Sequence, residues 1–339
     1  MKVEQQNDDK KKLTDELKCE VITPIFSYGA NNSINAFSEL RPTSLKGLMR
    51  NTFRIVQQKV IGEKENETEN LMDLENQLFG DAKEYASPLR LAFLFDREKL
   101  RKGQRKINFL FHDKAKSNQN PNRFYIFPGS KFEVRIGRRQ YKNDDKPEIT
   151  KDLDWYRKLI ELSLILGGLG QRSRKGRGRV FIKNSNQTVL KEGAMKKHIQ
   201  CLLNEISLAE KPIYKLIGNK ITTDSKKTNN RPVIEEIEFG KLIPKTNDWE
   251  QSFLENIDNA SHEIQKKWGE KKFTTGSSNQ RFASSVMVGV AKVEKGFLPI
   301  YTYITPISNG RYEKKINGKG EREEFVELIK NDLGGDVNE

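Results

Sequence analysis

Cysteine and histidine are nearly missing from this chain. Two cysteines, Cys19 and Cys201, and three histidines, His112, His198 and His262, occur in 339 residues. There is no CxxC pair and the histidines are scattered, which argues against a disulfide scaffold, a cysteine-rich zinc site and a histidine-clustered reaction centre. A reducing cytoplasm is the expected compartment, with neither metal nor cofactor. Long apolar runs are lacking too. The longest, near Leu159–Leu169, is interrupted by Glu161 and two glycines, short of the roughly 18 residues that a membrane-spanning helix needs. The opening MKVEQQNDDKKKLTDE holds no apolar stretch, so no secretory signal is expected. Hydrophobic residues make up only 35% of the chain. That share is lean, and it predicts thin cores under much solvated surface.

What the chain has in excess is positive charge. Lys and Arg number 61 against 47 Asp and Glu, a formal net charge of +14. A total of this kind can decorate a soluble surface or mark a polyanion site, and only its placement decides between them.

The apolar pattern places the elements. Residues 1–17 read as a polar lead-in. CEVITPIFSYG alternates as a first strand, and LRPTSLKGLMRNTFRIVQQKVIG is an amphipathic helix with Thr43 and Ser44 as cap candidates after Pro42 and Gly62 as its stop. Leu45, Leu48, Met49, Phe53, Val56 and Val60 share one face of it. An acidic, helix-prone run (63–84) follows, then strand candidates at ASPLRLAFLFD, 107–113 and 131–136, the helix DLDWYRKLIELSLILGGLG, and the strand VFIK. Strand, helix, strand, strand, helix, strand is the order of a ferredoxin-like (RRM-like) unit with large loop insertions. Beyond it come a helix (193–208), a polar Lys/Asn-rich loop (218–231), a strand (232–240), the helix WEQSFLENIDNASHEIQKKW, a hairpin, and a helix near Glu321–Leu333. This is a near repeat of the same order. The expected architecture is α+β, with an N-terminal ferredoxin-like domain over 18–190 and a C-terminal one over 191–339.

Two motifs concentrate the cations. Lys46, Arg50 and Arg54 are spaced by four and form one stripe, with no acid from Leu40 to Ile61. Thr43 and Ser44 stand at the helix start, where free N–H groups and hydroxyls suit a phosphate. A solvated basic face fits this stripe as well as a phosphate ladder does. The second motif is Gln171-Arg172-Ser173-Arg174-Lys175-Gly176-Arg177-Gly178-Arg179, preceded by Gly167, Gly168 and Gly170. Glycines admit positive φ and let backbone N–H groups approach a ligand, and arginine forks suit phosphates and stack on bases. A ligand-free basic loop is the plain alternative. The loop follows a helix and precedes a strand, the reverse of a dinucleotide fingerprint, and no GxxxxGK[ST] occurs. Phe124, Tyr125, Phe127, Tyr141, Trp155, Tyr156, Phe181, Tyr301 and Tyr303 are candidate stacking rings, although most such residues serve cores.

These residues carry a resemblance. Glu39-Leu40-Arg41-Pro42-Thr43-Ser44-Leu45-Lys46-Gly47-Leu48-Met49-Arg50 resembles the P-x-S-[LI]-K-G-x-x-R helix start of the RAMP superfamily of CRISPR proteins. Gly167 to Gly178 resembles that superfamily's glycine-rich loop. With the Thr-Pro after the first strand and Arg281-Phe282-Ala283-Ser284-Ser285, the set is most similar to the first Cmr subunit family of type III-B effector complexes. Ser285 stands where that family usually has proline. The resemblance implies a RAMP/Cas7-like pair of ferredoxin-like domains and a non-catalytic subunit at the tail of a ribonucleoprotein filament. Such a subunit binds guide RNA (crRNA) near its 3′ portion, helps capture target RNA, and has other effector subunits as partners. Carried over, Lys46, Gly47 and Arg50 match the RNA-facing helix, and Gly168, Gly170, Arg172, Arg174, Lys175 and Gly176 the RNA-facing loop. With their neighbours, the RNA-binding expectation covers Thr43, Ser44, Lys46, Gly47, Arg50, Arg54, Gly168, Gly170, Gln171, Arg172, Ser173, Arg174, Lys175, Gly176 and Arg177.

RAMP folds also host ribonucleases that process guide precursors. His112, ahead of Asp113 and Lys114, is the general acid/base candidate for that reading. In those enzymes the glycine-rich loop lies near the C-terminus, whereas here it is mid-chain. Asp144-Asp145 and Glu235-Glu236 are adjacent pairs whose side chains diverge on a strand, unlike a metal site. Catalysis is the weaker expectation, and an RNP1-like string for sheet-face stacking is missing.

Overall fold

The computed structural model describes residues 14–29, 35–58, 67–81, 86–108, 122–139, 141, 149, 151–183, 189–223, 231–269, 275, 283–305 and 319–333. His112, Asp144-Asp145, Gly62 and Arg281-Phe282 lie outside them.

The first sheet joins β2 (Leu89–Leu94), β5 (Lys131–Arg138), β1 (Thr14–Val21) and β6 (Val180–Lys183) in that order, all antiparallel. With α1 (Pro42–Val56) between β1 and β2 and α4 (Leu153–Leu166) between β5 and β6, this is the ferredoxin-like order expected from the sequence. The period-2 pattern explains the face: Leu17, Cys19 and Val21 on β1 and Phe132, Val134 and Ile136 on β5 are buried under α1 and α4. β1 begins at Thr14, so the last residues of the polar lead-in are strand. The insertions hold α2 (Glu67–Phe79), the short α3 (Arg97–Gly103), and the two-stranded pair β3 (Arg105–Asn108) and β4 (Asn122–Tyr125).

α1 has Pro42 in its first turn, and its N-cap is Arg41 without a side-chain cap hydrogen bond. Thr43 and Ser44 are thus helical residues rather than caps. The helix also stops at Val56, ahead of Gly62. The cause is tertiary: Gln57 donates to the Ile206 carbonyl and accepts from Leu208 N–H, and Gln58 donates to the Ile234 carbonyl. Arg231 donates to the carbonyls of Arg54 and Gln57, which satisfies groups that a helix end leaves bare. Arg231→Ala is therefore expected to cost about 1–3 kcal/mol by stranding those carbonyls, measurable as a lower denaturant midpoint.

α5 (Glu192–Ile206) packs on α4 and leads to the hairpin β7 (Tyr214–Ile217) and β8 (Lys220–Thr223). The polar loop expected from 218 is in part this hairpin. Then β9 (Ile234–Phe239), β10 (Ile243–Pro244), α6 (Trp249–Trp268), β11 (Val286–Val293), β12 (Gly296–Ile304) and α7 (Lys319–Leu333) follow. β11, β12 and β9 repeat the ferredoxin-like order, and β8 occupies the slot of the fourth strand.

The β11–β12 hairpin is buried on both faces. Met287, Ala291, Leu298 and Ile300 join the core that also holds Leu17, Phe53 and Tyr156. Val286, Val288, Val290 and Tyr301 join a second core under α6 and α7. Residues on both sides of position 190 share the first of these cores.

Candidate nucleic-acid interface

The two basic motifs meet in space. Gly167, the C-cap of α4, lies against Leu48 of α1, and a Cβ there would come within 2.4 Å of the leucine Cδ1. The loop then runs along β11: Gly176 N–H donates to the Val288 carbonyl, and Val288 N–H to the Arg174 carbonyl, each at 3.0 Å. Thr23 Oγ1 donates to the Gly176 carbonyl at 2.7 Å and accepts from Arg179 N–H at 3.0 Å. The glycines serve this chain-on-chain packing. A Cβ at Gly168 would meet the Arg177 carbonyl oxygen at 2.4 Å, and one at Gly170, where φ is +89°, the Phe26 oxygen at 2.3 Å. Gly176 is likewise pressed on Ile257 and Leu254. Backbone approach is what these positions need, but the partner is the protein.

The loop's cations turn inward as well. Arg177 was expected to face RNA; its side chain has no solvent exposure and is bound to Asp258 of α6, Nη2 to Oδ2 at 2.6 Å. Burial pushes its pKa down, and Asp258 opposes that shift. Arg172 donates to the other Asp258 oxygen at 2.7 Å. Arg174 donates to the Ser284 carbonyl, and the Lys175 ammonium sits 3.7 Å from the Phe325 ring centroid. Gln171 N–H donates to the Phe26 carbonyl, and the Ser173 carbonyl accepts from Arg179. Arg179 is fully buried among the carbonyls of Ile165, Gly167, Ser173 and Val288, and burial pushes it down to about 9. Gly289 on β11 makes room for this guanidinium, since a Cβ there would stand 3.1 Å from it. The segment is thus a charged rivet between the two sheets.

α1 is different. Arg50 and Arg54 do have an acidic partner, supplied by α2 across the sequence gap: Glu75 accepts from Arg50 at 3.1 Å and from Arg54 at 3.0 Å. Arg50 also donates to the Gly80 carbonyl. Lys46, half-buried, has no carboxylate partner among the described residues. Burial first, then the neighbouring Arg50 and Arg139, push its pKa down to about 8. Arg139 follows β5 and is oriented by its Nε donating to the Ser87 carbonyl at 2.9 Å. Thr43 and Gly47 are exposed and Ser44 is half-buried; no atom lies within 4 Å of a Cβ built on Gly47. Three cations converging on an open patch of helix, one of them charged only at a cost, suit an anion. Arg139 was not among the expected residues; its signal was the Arg-Arg pair closing the strand RIGRR.

The aromatic candidates divide. Tyr156 and Tyr301 are core, and their hydroxyls are pushed up by burial. Phe124 stacks on Phe37 at 4.3 Å with Lys106 over it, and Phe127 is 40% exposed. Among the described residues no group of His, Cys, Asp and Glu is placed to hold a metal ion, and no helix is long and apolar enough to cross a membrane.

No curated protein matches the chain. Among solved structures, Cmr1 from Pyrococcus furiosus in its apo form is similar at 18% identity and a TM-score of 0.52, covering 88% of this chain and 89% of that one. A chain of the type III-B Cmr-beta complex bound to cognate target RNA is similar at 14% identity and a TM-score of 0.53, covering 94% and 99%. A second structure of that complex, bound also to AMPPnP, gives 14% and 0.52 over 95% and 100%. At these identities the likeness is one of fold. The model of the RAMP superfamily matches residues 18–181, the span that holds most of the first sheet, α1 and the glycine-rich loop; over these residues the chain is similar to the RAMP superfamily, and its fold is the one seen in Cmr1.

Proposed function

We propose that the chain is a non-catalytic, RNA-binding subunit of a cytoplasmic type III-B CRISPR effector complex. In this reading it holds guide RNA near its 3′ end, helps capture target RNA, and contacts other effector subunits. The observation that carries the reading is Lys46, a half-buried ammonium without a carboxylate partner among the described residues, beside Arg50 and Arg139. A phosphodiester supplies the missing countercharge. Thr43, Ser44 and the bare Gly47 surface let a backbone phosphate come close, and the sequence tolerance of such contacts suits a guide of any sequence. The fold shared with Cmr1 and with a chain of the RNA-bound Cmr-beta complex supports the same reading. Within the glycine-rich loop, the contribution is to hold α1 and the second sheet in place.

Gly47 gives a prediction with opposite signs. A helix-interior glycine costs up to about 1 kcal/mol against alanine, and a Cβ here has room. Gly47→Ala is expected to raise stability by about 0.5–1 kcal/mol while lowering RNA affinity, because a methyl group stands where the phosphate approaches. A thermal melt and an anisotropy titration of the same preparation check both signs. The functional reading itself is tested by expressing the tagged chain with its neighbouring genes. Recovery of a ribonucleoprotein containing repeat-derived RNA, without cleavage of added RNA, is the expected result. A chain recovered free of RNA and of RAMP partners would sink the proposal.

A further inference from the structure

A cleft of about 430 Å³ opens on the far end of the first sheet, lined by Phe95, Asp96, Leu100, Phe127, Ser130 and Lys131. Its size lies within the range of about 300–1,000 Å³ typical of small-ligand pockets. Its floor is pre-formed. The turn before β5 is pinned to β1 at both ends, Gly129 N–H donating to the Val21 carbonyl at 2.8 Å and the Ser130 carbonyl accepting from Val21 N–H at 2.9 Å. Gly103 leaves room for the Phe127 ring, since a Cβ there would lie 2.9 Å from it. The second observation is polar. Asp96 and Lys131, both exposed, line the cleft beside its apolar rings.

We propose that this cleft binds a single unpaired nucleobase. Phe127, 40% exposed, with Phe95 and Leu100, offers the apolar surface on which a planar ring stacks. Asp96 can accept from an exocyclic amine, and Lys131 stands at the rim for the attached phosphate. Phosphate chemistry alone does not need such apolar rings, and a purely apolar ligand would make no use of Asp96 and Lys131. The proposal rests on the RNA reading for the source of the base. The cleft and the Lys46 patch are nonetheless separate: β5 runs from Lys131 at one to Arg138, next to Arg139, at the other, about 27 Å along the strand.

The test compares a short single-stranded RNA with an abasic version of it, on the full chain. Wild type is expected to bind the abasic strand roughly tenfold more weakly. Phe127→Ala is expected to lose most of that difference while keeping its salt dependence and its circular dichroism. Adenosine monophosphate separates the sources. Ring-proton broadening by wild type but not by Phe127→Ala means that free nucleotides enter too. No broadening, with a Phe127-dependent abasic penalty, assigns the cleft to bases carried by RNA. An abasic penalty equal in wild type and Phe127→Ala overturns the proposal. If instead Lys46→Ala and Arg139→Ala leave affinity and salt slope untouched, it is the phosphate reading that fails, and the nucleotide titration alone decides the cleft.

Discussion

Asp258→Ala is expected to cost about 3–5 kcal/mol of stability, the scale for breaking a buried ion pair by removing one partner. Arg177 is wholly buried and its countercharge is this carboxylate. Deleting the carboxylate strands one guanidinium in the interior and releases a second, Arg172. Relocating Arg177 to water would mean pulling the loop off β11, because Arg174 and Gly176, just ahead of it, make main-chain bonds to Val288. The loss should appear as a lower urea midpoint and as faster amide exchange at Gly176 and Val288. Replacing both partners by apolar residues of similar volume is expected to recover much of it, since the pair's desolvation cost disappears with the pair. A single variant within 1 kcal/mol of wild type would show that the loop is not held by this contact.

RNA affinity is expected to fall about tenfold per pH unit above pH 8, a slope of one proton per Lys46. The sign follows from the patch. In the free chain the ammonium is held down to about 8 by burial and by Arg50 and Arg139. A bound phosphate favours the charged form and raises the pKa, so binding takes up a proton wherever the free amine is neutral. Below about pH 8 the lysine is already charged and affinity is flat. Above it, affinity declines until the bound-state pKa is passed. Lys46→Arg keeps the charge and is expected to flatten the profile between pH 8 and about 10. Anisotropy titrations at constant ionic strength check this, and a wild-type profile as flat as that of the arginine variant would place the phosphate elsewhere.

The sequence was legible where local pattern decides structure. The face of α1, the helix α4, the ferredoxin-like order and the β11–β12 hairpin are all written in apolar periodicity. It misled where distant residues decide. α1 ends at Val56 because Gln57, Gln58 and Arg231 bond across 149 or more positions. The hairpin β7–β8 was hidden in polar sequence because few of its residues, Tyr214 and Ile221 among them, reach the core. The Arg/Gly loop looked like a free cationic surface because no acid is near it in sequence, yet Asp258 neutralises Arg177 from 81 residues away. One signal was available. Asp258 stands one turn after Leu254 on the apolar face of α6, and a carboxylate at a core position asks for a buried cation. Lys46 was found because its helix start is a compact motif; Arg139 was missed because its role depends on where β5 ends relative to α1.

The salt dependence of RNA binding is the most direct measurement of whether the α1–β5 patch holds the RNA backbone. For single strands each phosphate contact contributes about 0.7 to the slope of log K against log salt. The double variant Lys46→Ala, Arg139→Ala is expected to lose about 1.4 of that slope, whereas Arg172→Ala, whose guanidinium is already given to Asp258, leaves it unchanged. The opposite pattern, with the slope kept by the double variant and lost with Arg172, would return the RNA to the glycine-rich loop and contradict the account.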